Sequence, residues 1–589
     1  MKYLFYFYRT YTKYLSNDVW WLLAITIFVA FADGLGIAML LPLLQTLEVT
    51  ERQGEASLLL KIVDAIGISG SLIGILAFMF SIFLGKAILK FGAGYYKARL
   101  YKELYRFLKV KFYDAVLKVK YQYFTKKNTG HFVTIMETHV NRMVRSFDTF
   151  ITLVTSAVMA MSYLIIAGLI SWEVSVMAVL LGGIIFGLMS ILNQYVRKLS
   201  RRISNEEKHM NQIAMQALHA FKYIVSTASY KPIQIQYEKS IERITDLQFK
   251  TKLANGFTAS MQELMAVSLL IAMIIIEVII LGYPIAAVFV ILLLFYRGVN
   301  QMMAVIQNWQ ELISLHGYVV SVDEELDMLH FNQVKEGLRP MDTTINEEVI
   351  EFEKLNFAFD DSDQEIIKNL SLKIYPNTTV AFVGPSGAGK TTIVDLLTGL
   401  LVPQSGRITI GGYELNHTRL EDWRARIGYV AQDLTVFDDT VANNISLFRE
   451  SGEMLLIEEA ARMASAHKFI KELPQGYETR IGDKGVRLSG GQKQRLFIAR
   501  ELFKRPDLLI LDEATSALDS ESEQFVKQSI DKLKGKITVV IIAHRLSTIK
   551  DVDYIYVLNN GRLLEGGRYE DLVANNDSKF AEMVGLQNL

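Results

Sequence analysis

Gly384-Pro385-Ser386-Gly387-Ala388-Gly389-Lys390-Thr391-Thr392 is a glycine-rich turn ending in Lys-Thr, a pattern suited to gripping a nucleoside triphosphate. Its backbone N–H groups can wrap the phosphates, Lys390 can bridge the β and γ oxygens, and the Thr391 hydroxyl can ligate Mg²⁺. The apolar run Thr379-Val-Ala-Phe-Val383 ahead of it reads as a buried strand, and Thr392-Ile-Val-Asp-Leu-Leu after it reads as a helix. Strand, loop and helix are the context that mechanism needs, so an α/β P-loop ATPase domain is expected here.

Downstream, Leu508-Leu-Ile-Leu-Asp512-Glu513 sets two carboxylates after four apolar residues, as a buried parallel strand would deliver them to a sheet edge. Asp512 suits the Mg²⁺ shell, and Glu513 suits polarising an attacking water. Between the two motifs lies Leu488-Ser489-Gly490-Gly491-Gln492, directly before a helical run. That placement puts Ser489 and the N–H groups of Gly490 and Gly491 at a helix N-terminus, where anions bind.

Working outward, 589 residues exceed one domain, and the long apolar runs fall in the N-terminal part. Six segments, about 19–44, 70–96, 147–170, 173–195, 262–282 and 284–306, each reach the ~20 residues that cross a bilayer as a helix. The zero net charge averages opposites: residues 1–340 carry 33 Lys+Arg against 24 Asp+Glu, leaving 29 against 38 for the rest. This basic excess reports topology and not nucleic-acid affinity, because 12 Lys+Arg fall in 97–146 and 11 in 196–261, with none in the turns near Trp172 and Tyr283. The N-terminus, both long loops and the ATPase are therefore expected to be cytoplasmic, in a multi-pass protein of the bacterial inner membrane. Each loop has the length and periodicity of a helical hairpin projecting roughly 35 Å. The absence of cysteine excludes disulfides and thiolate metal sites. Met1–Asn17, aromatic and basic without a small-residue cleavage pattern, reads as an uncleaved interfacial helix.

With these motifs in this order, the C-terminal half resembles the ATP-binding cassette (ABC) ATPases, whose signature reads LSGGQ as here. The resemblance implies roles for further residues. Phe359, in Asn356-Phe-Ala-Phe-Asp360, takes the place of the aromatic that stacks on adenine, where tyrosine is the commoner choice. Gln432, in Tyr429-Val-Ala-Gln-Asp433, matches the glutamine that reaches Mg²⁺ and senses the membrane domain. Asp519, in Ser516-Ala-Leu-Asp519, matches the loop that crosses the dimer interface, and His544, in Ile541-Ile-Ala-His-Arg545, matches the histidine that contacts the γ-phosphate. Asp483 stands in a cross-subunit loop where the family more often has Glu. In this family Ser489, Gly490, Gly491 and Gln492 serve the ATP held by the opposite subunit. The resemblance thus implies a dimer, of two copies of this chain or of this chain with a homologous half-transporter.

Short turns on one side, long hairpins on the other and an ATPase after the sixth span resemble the exporter-type (type IV) half-transporters. The architecture implied is an interfacial helix at 1–18, an all-α six-helix transmembrane domain at 19–331, a linker at 332–346 and the cassette at 347–589. Hairpin tips in that family carry coupling helices that seat on the ATPase; here they are expected near Gly130–Thr138 and Phe221–Ser229. The implied activity is ATP-driven export or flipping by alternating access. The cargo expected is amphipathic, with a lipid or lipid-linked glycan ahead of peptide or drug; an importer and an ATP-gated channel or regulator are the alternatives. Charged residues inside spans are functional candidates. Asp33, Lys86, Glu277 and Arg297 are such residues, and Lys86 with Arg297 suggest a cavity for an anionic head group. An internal Asp33 to Lys86 salt bridge is the other reading.

Overall fold

The computed structural model describes residues 2–15, 18–47, 72–127, 129–170, 209–218, 220–275, 285–334, 339–341, 348–359, 364–432, 434–449, 453–482, 488–512, 520–543, 549–575 and 577–587, with isolated positions between 176 and 207 and Gly337. The chain divides into two compact units. The first comprises Met1–Leu117 and Thr129–Phe331, and the second Lys118–Asn128 and Asn332–Leu589.

In the first unit the apolar runs form helices far longer than a bilayer requires. Helix α1 (Lys2–Leu15) precedes α2 (Asp18–Ala38), which bends at Met39 into α3 (Leu40–Leu47). Helix α4 (Leu72–Leu117) has 46 residues, about 69 Å at 1.5 Å per residue, more than twice the ~30 Å hydrocarbon core. After α5 (Tyr121–Lys126) in the second unit, α6 (Thr129–Thr134) runs through a π turn at Ile135–His139 into α7 (Val140–Ile170). Helix α8 (Phe221–Ser226) is a single short element ahead of α9 (Tyr230–Ile274), and α10 (Ile285–Phe331) closes the unit.

Among the described residues four stretches are long and apolar enough to cross a membrane: Asp18–Leu44, Leu72–Leu117, Thr129–Leu169 and Val288–Phe331. They contain the first, second, third and sixth expected spans, apart from the start of the second and of the sixth and the last residue of the third. The fourth lies almost wholly outside the described residues, and the fifth is described only to Ile275. Glu277 also lies outside them.

Helices α7 and α10 pack through matching stripes. Met143, Val144, Phe147 and Ile151 are buried on one, and Leu312, Leu315, Val319 and Val322 on the other, at three- and four-residue spacing. Helix α1 turns Phe7, Tyr11 and Leu15 inward, also one turn apart, while Phe5 stays exposed. The Tyr11 hydroxyl meets Ser146 Oγ at 2.6 Å, and the Tyr14 hydroxyl donates to Asp323 at 2.5 Å, so α1 is tied to both α7 and α10.

Four helices converge on one carboxylate. Asp33 on α2, 3% exposed, accepts from Lys86 of α4 and the Tyr163 hydroxyl of α7, and Arg297 of α10 places Nη1 3.5 Å from its Oδ2. This is the internal salt bridge that the sequence offers as the other reading, extended to Arg297. Both cations share the Asp33 carboxylate, because an unpaired charge at that depth is more costly than an internal pair.

The second unit holds two sheets. Strands β1 (Ile350–Ala358), β2 (Glu365–Ile374), β4 (Ser405–Ile410) and β5 (Tyr413–Glu414) form an antiparallel sheet in the order β2-β1-β4-β5. The other sheet contains β3 (Thr379–Val383), β6 (Ile427–Val430), β7 (Leu508–Asp512), β8 (Thr538–Ile542), β9 (Tyr554–Asn559) and β10 (Arg562–Gly567), in the order β10-β9-β3-β8-β7-β6. All pairs in it are parallel except the β9–β10 hairpin. Every residue of β3, β7 and β8 is buried, as continuous apolar runs require when both faces are covered.

One hairpin segment differs from expectation. The hairpin segment that belongs to the ATPase unit is Lys118–Asn128, carrying α5, and not Gly130–Thr138. The latter continues into α7, with Phe132 and Ile135 buried and His131 bonded to Glu325 at 3.0 Å. The base of α5 is stitched to the start of the linker by Lys120 N–H to Asn332 O at 2.8 Å and Val334 N–H to Lys118 O at 3.0 Å. Part of the linker is also anchored. Met341 is buried, and Arg339 exchanges backbone hydrogen bonds with His417 and Arg419.

Replacing Asp33 with Asn leaves Lys86 and Arg297 without their counter-charge, a loss on the order of 3 kcal/mol. Thermal unfolding of the purified variant is expected several degrees lower, and Asp33→Asn with Lys86→Gln is expected to recover part of it. An additive double variant would show that the pair does not interact.

Candidate functional site

The parallel register sets the site. With β6, β7, β8 and β3 side by side, Val430 pairs with Leu511, Asp512 with Ile542, and Phe382 with Ile542. Their C-terminal ends therefore share one edge, the place where open α/β sheets bind ligands. The glycine-rich loop leaves β3 there, Asp512 ends β7, and Gln432, exposed, lies two residues past β6. Glu513 and His544 follow β7 and β8 in the chain but lie, with Asp483 and Asp519, outside the described residues.

Two glycines make the loop possible. At Gly384, φ is 153° and a Cβ would stand 2.2 Å from the Leu558 carbonyl oxygen; at Gly389, φ is 96° and it would stand 2.7 Å from Ile367 Cδ1. The backbone thus passes where no side chain fits. Pro385, Ser386 and Gly387 are exposed at the rim, while Ala388 and Gly389 are buried beneath it. Helix α11 (Lys390–Leu397) starts directly after Gly389, so its first N–H groups add to an anion-binding mouth. Lys390 is 6% exposed, and its Nζ donates to Gly384 O at 2.8 Å and Pro385 O at 3.0 Å, which holds the ammonium across the loop. Thr391 is exposed beside it and Thr392 is partly buried.

Negative charge gathers around the end of β7. Asp512 is buried and accepts from the Tyr429 hydroxyl at 3.2 Å. Asp395, on α11, has its carboxyl pushed up to about 6, first by burial and then by Asp512. Burial followed by the same two carboxylates raises the Tyr429 phenol well above its ordinary range, so it serves as a neutral donor. Crowded carboxylates and the Thr391 hydroxyl are an all-oxygen donor set of the kind a hard divalent cation takes. Neither Tyr429 nor Asp395 is singled out in the sequence, although both lie inside motifs read there. A carboxylate five residues beyond Lys390, in a helix opening at the phosphate loop, was the available signal.

The adenine candidate and the signature are also formed. Phe359 follows β1, is 41% exposed, and meets buried Phe357 edge-on with ring centroids 5.1 Å apart. Ser489 caps helix α12 (Gly490–Phe503) in a reciprocal box: Gln492 N–H donates to Ser489 Oγ at 3.3 Å, and Ser489 N–H donates to Gln492 Oε1 at 2.9 Å. The Gln492 side chain thereby shapes the helix start. Ser489 accepts in that box, which leaves its exposed hydroxyl a proton to donate.

Residues 367–516 match the ABC transporter family and residues 22–301 match the ABC transporter transmembrane region. An ATP-dependent lipid A-core flippase of Coxiella burnetii is 30% identical over 512 residues, 86% of this chain and 86% of that protein. The heterocyst differentiation ATP-binding protein HepA of Nostoc sp. is 30% identical over 485 residues, 81% of this chain and 76% of that protein. A solved bacterial Atm1-family ABC exporter with ATP bound superposes with a TM-score of 0.79 at 24% identity, covering 98% of this chain and all of that one.

Gly384→Ala is expected to weaken binding of a fluorescent ATP analogue at least tenfold, because its methyl meets backbone. Gly387→Ala, whose Cβ meets nothing within 4 Å, carries only the left-handed penalty of about 1–2 kcal/mol. It should bind more tightly than Gly384→Ala, and the reverse order would contradict the loop geometry.

Proposed function

Because this chain belongs to the ABC transporter family, as an exporter with membrane and ATPase domains fused, we propose that two copies of it form a homodimer that moves an amphipathic, lipid-like cargo by alternating access. The observation that carries the dimer is the signature helix start. Ser489 presents a donor hydroxyl and Gly490 an exposed backbone at the N-terminus of α12, an anion site that the family pairs with the ATP of the opposite subunit. Helix α8 supports it: Phe221 and Val225, one turn apart on the same face, are both more than half exposed, an apolar pair suited to a second subunit.

The chain hydrolyses ATP. We assign Lys390 and the loop 384–389 to the phosphates, Phe359 to adenine, Glu513 to polarising the water, and His544 to orienting it against the γ-phosphate. Thr391, Asp512 and Gln432 would hold Mg²⁺, which when bound neutralises charge on the β and γ oxygens. Residues Ser489–Gly491 and Asp519 complete the partner's site. ATP closes the two cassettes, hydrolysis removes the contacts that favour closure, and the hairpins carry that change to the spans. The N-terminus and the ATPase face the cytoplasm of a bacterial inner membrane, by the distribution of basic residues. Lipid-like cargo is supported by the relative named as a lipid A-core flippase, and Asp33, Lys86 and Arg297 are assigned to holding the bundle together.

Glu513→Gln is expected to bind ATP normally and turn it over ~10²-fold or more slowly; near-normal hydrolysis would refute the role. A hybrid of one Lys390→Ala chain and one Ser489→Ala chain should keep one intact composite site, since both lesions fall in the other. Loss of both sites would refute head-to-tail pairing. Stimulation of ATP hydrolysis in proteoliposomes by lipids or lipid-linked glycans, and not by peptides, tests the cargo.

A further inference from the structure

Tyr429 occupies an unusual junction in the ATPase unit. It lies on β6, paired with Ile510 of β7, three residues before Gln432. Its hydroxyl donates to Asp512 Oδ2 at 3.2 Å, and its backbone N–H donates to Glu501 Oε2, also at 3.2 Å. Glu501 is buried on α12, the helix that the signature opens, and is held by Lys504 at 2.5 Å. The Tyr121 phenol of α5 adds, last among the causes, to the upward push on the Tyr429 phenol. One residue is thus bonded to the carboxylate that ends β7 and to the helix that carries the signature, beside the hairpin segment of the same unit.

We propose that Tyr429 is a positioning residue for Asp512, fixing the rotation of its carboxylate through the phenolic hydrogen bond so that the divalent cation bound with ATP meets a preset ligand. The inference rests on reading Asp512 as a Mg²⁺ ligand. A carboxylate turns easily about its Cβ–Cγ bond, and Asp395 close by repels it. A neutral donor on one oxygen defines the plane of the group without competing for the cation's charge. Outer-shell partners of this kind typically contribute 10–100-fold to metal affinity. The β6–β7 pairing and the Glu501 bond hold the Tyr429 backbone, so the ring has little freedom to follow a misplaced Asp512.

The test uses the full-length protein with a non-hydrolysable ATP analogue, counting bound Mn²⁺ by the loss of the free-ion EPR signal. Tyr429→Phe keeps the ring and removes only the hydroxyl. It is expected to weaken Mn²⁺ about tenfold, to raise the Mg²⁺ concentration needed for half-maximal hydrolysis in parallel, and to leave analogue binding in EDTA unchanged. Asp512→Asn serves as the reference. If it weakens Mn²⁺ while Tyr429→Phe does not, the positioning role is overturned and the metal reading stands. If neither variant changes Mn²⁺ affinity, the metal reading of Asp512 fails and the role falls with it. If Tyr429→Phe weakens analogue binding in EDTA as much as it weakens Mn²⁺, the residue is merely structural and the proposal is overturned.

Discussion

The chemistry of the ATPase unit depends on the parallel register of β6, β7, β8 and β3. Because Asp512 and Phe382 both pair with Ile542, and Val430 with Leu511, four strands separated widely in sequence end at one edge. The phosphate loop, Asp512 and Gln432 meet there without any of them being close in the chain. A one-residue slip of β7 against β8 would withdraw Asp512 from that edge and turn its side chain to the other face. With both faces of β7 covered, its apolar residues alone do not choose the register; Asp512 does, since a slip would bury it away from the Tyr429 hydroxyl.

The same economy explains how much was legible from the sequence. Motifs that carry their own backbone demands could be read directly: positive φ at Gly384 and Gly389, the serine cap ahead of α12, and the apolar strands that lead to the phosphate loop and to Asp512. Contacts made by side chains from different elements could not. Tyr429 and Asp395 both sit within quoted motifs, yet their bearing on Asp512 emerges only when β6, α11 and β7 are assembled. The misplaced hairpin segment has a similar cause. The phrase Tyr123-Phe-Thr-Lys-Lys-Asn-Thr-Gly130 marks the right neighbourhood, but helix α6 resumes at Thr129 because Phe132 and Ile135 bury themselves against the first unit. The segment left to the ATPase unit is therefore the earlier one.

In the membrane unit, apolar runs located the described spans, and the helical periodicity of the two long loops pointed to their continuation beyond the bilayer. Hydropathy registers only the bilayer-crossing portion, whereas α4, α9 and α10 continue for 45 to 47 residues in all. The extension is maintained by packing and not by hydropathy, as the α7 and α10 stripes show. Residues such as Leu312, Leu315, Val319 and Val322 repeat at helical spacing among charged neighbours.

The two units treat buried charge in opposite ways, and the contrast bears on function. Around Asp33, cations from two other helices and a tyrosine hydroxyl meet the carboxylate inside the protein, which serves to join helices. At the sheet edge, burial first and then the neighbouring Asp512 push the Asp395 carboxyl up to about 6, a concentration of like charge that a cation would relieve. Charge is therefore kept in reserve for the nucleotide and its metal. Within the described spans Lys86 and Arg297 both bind Asp33.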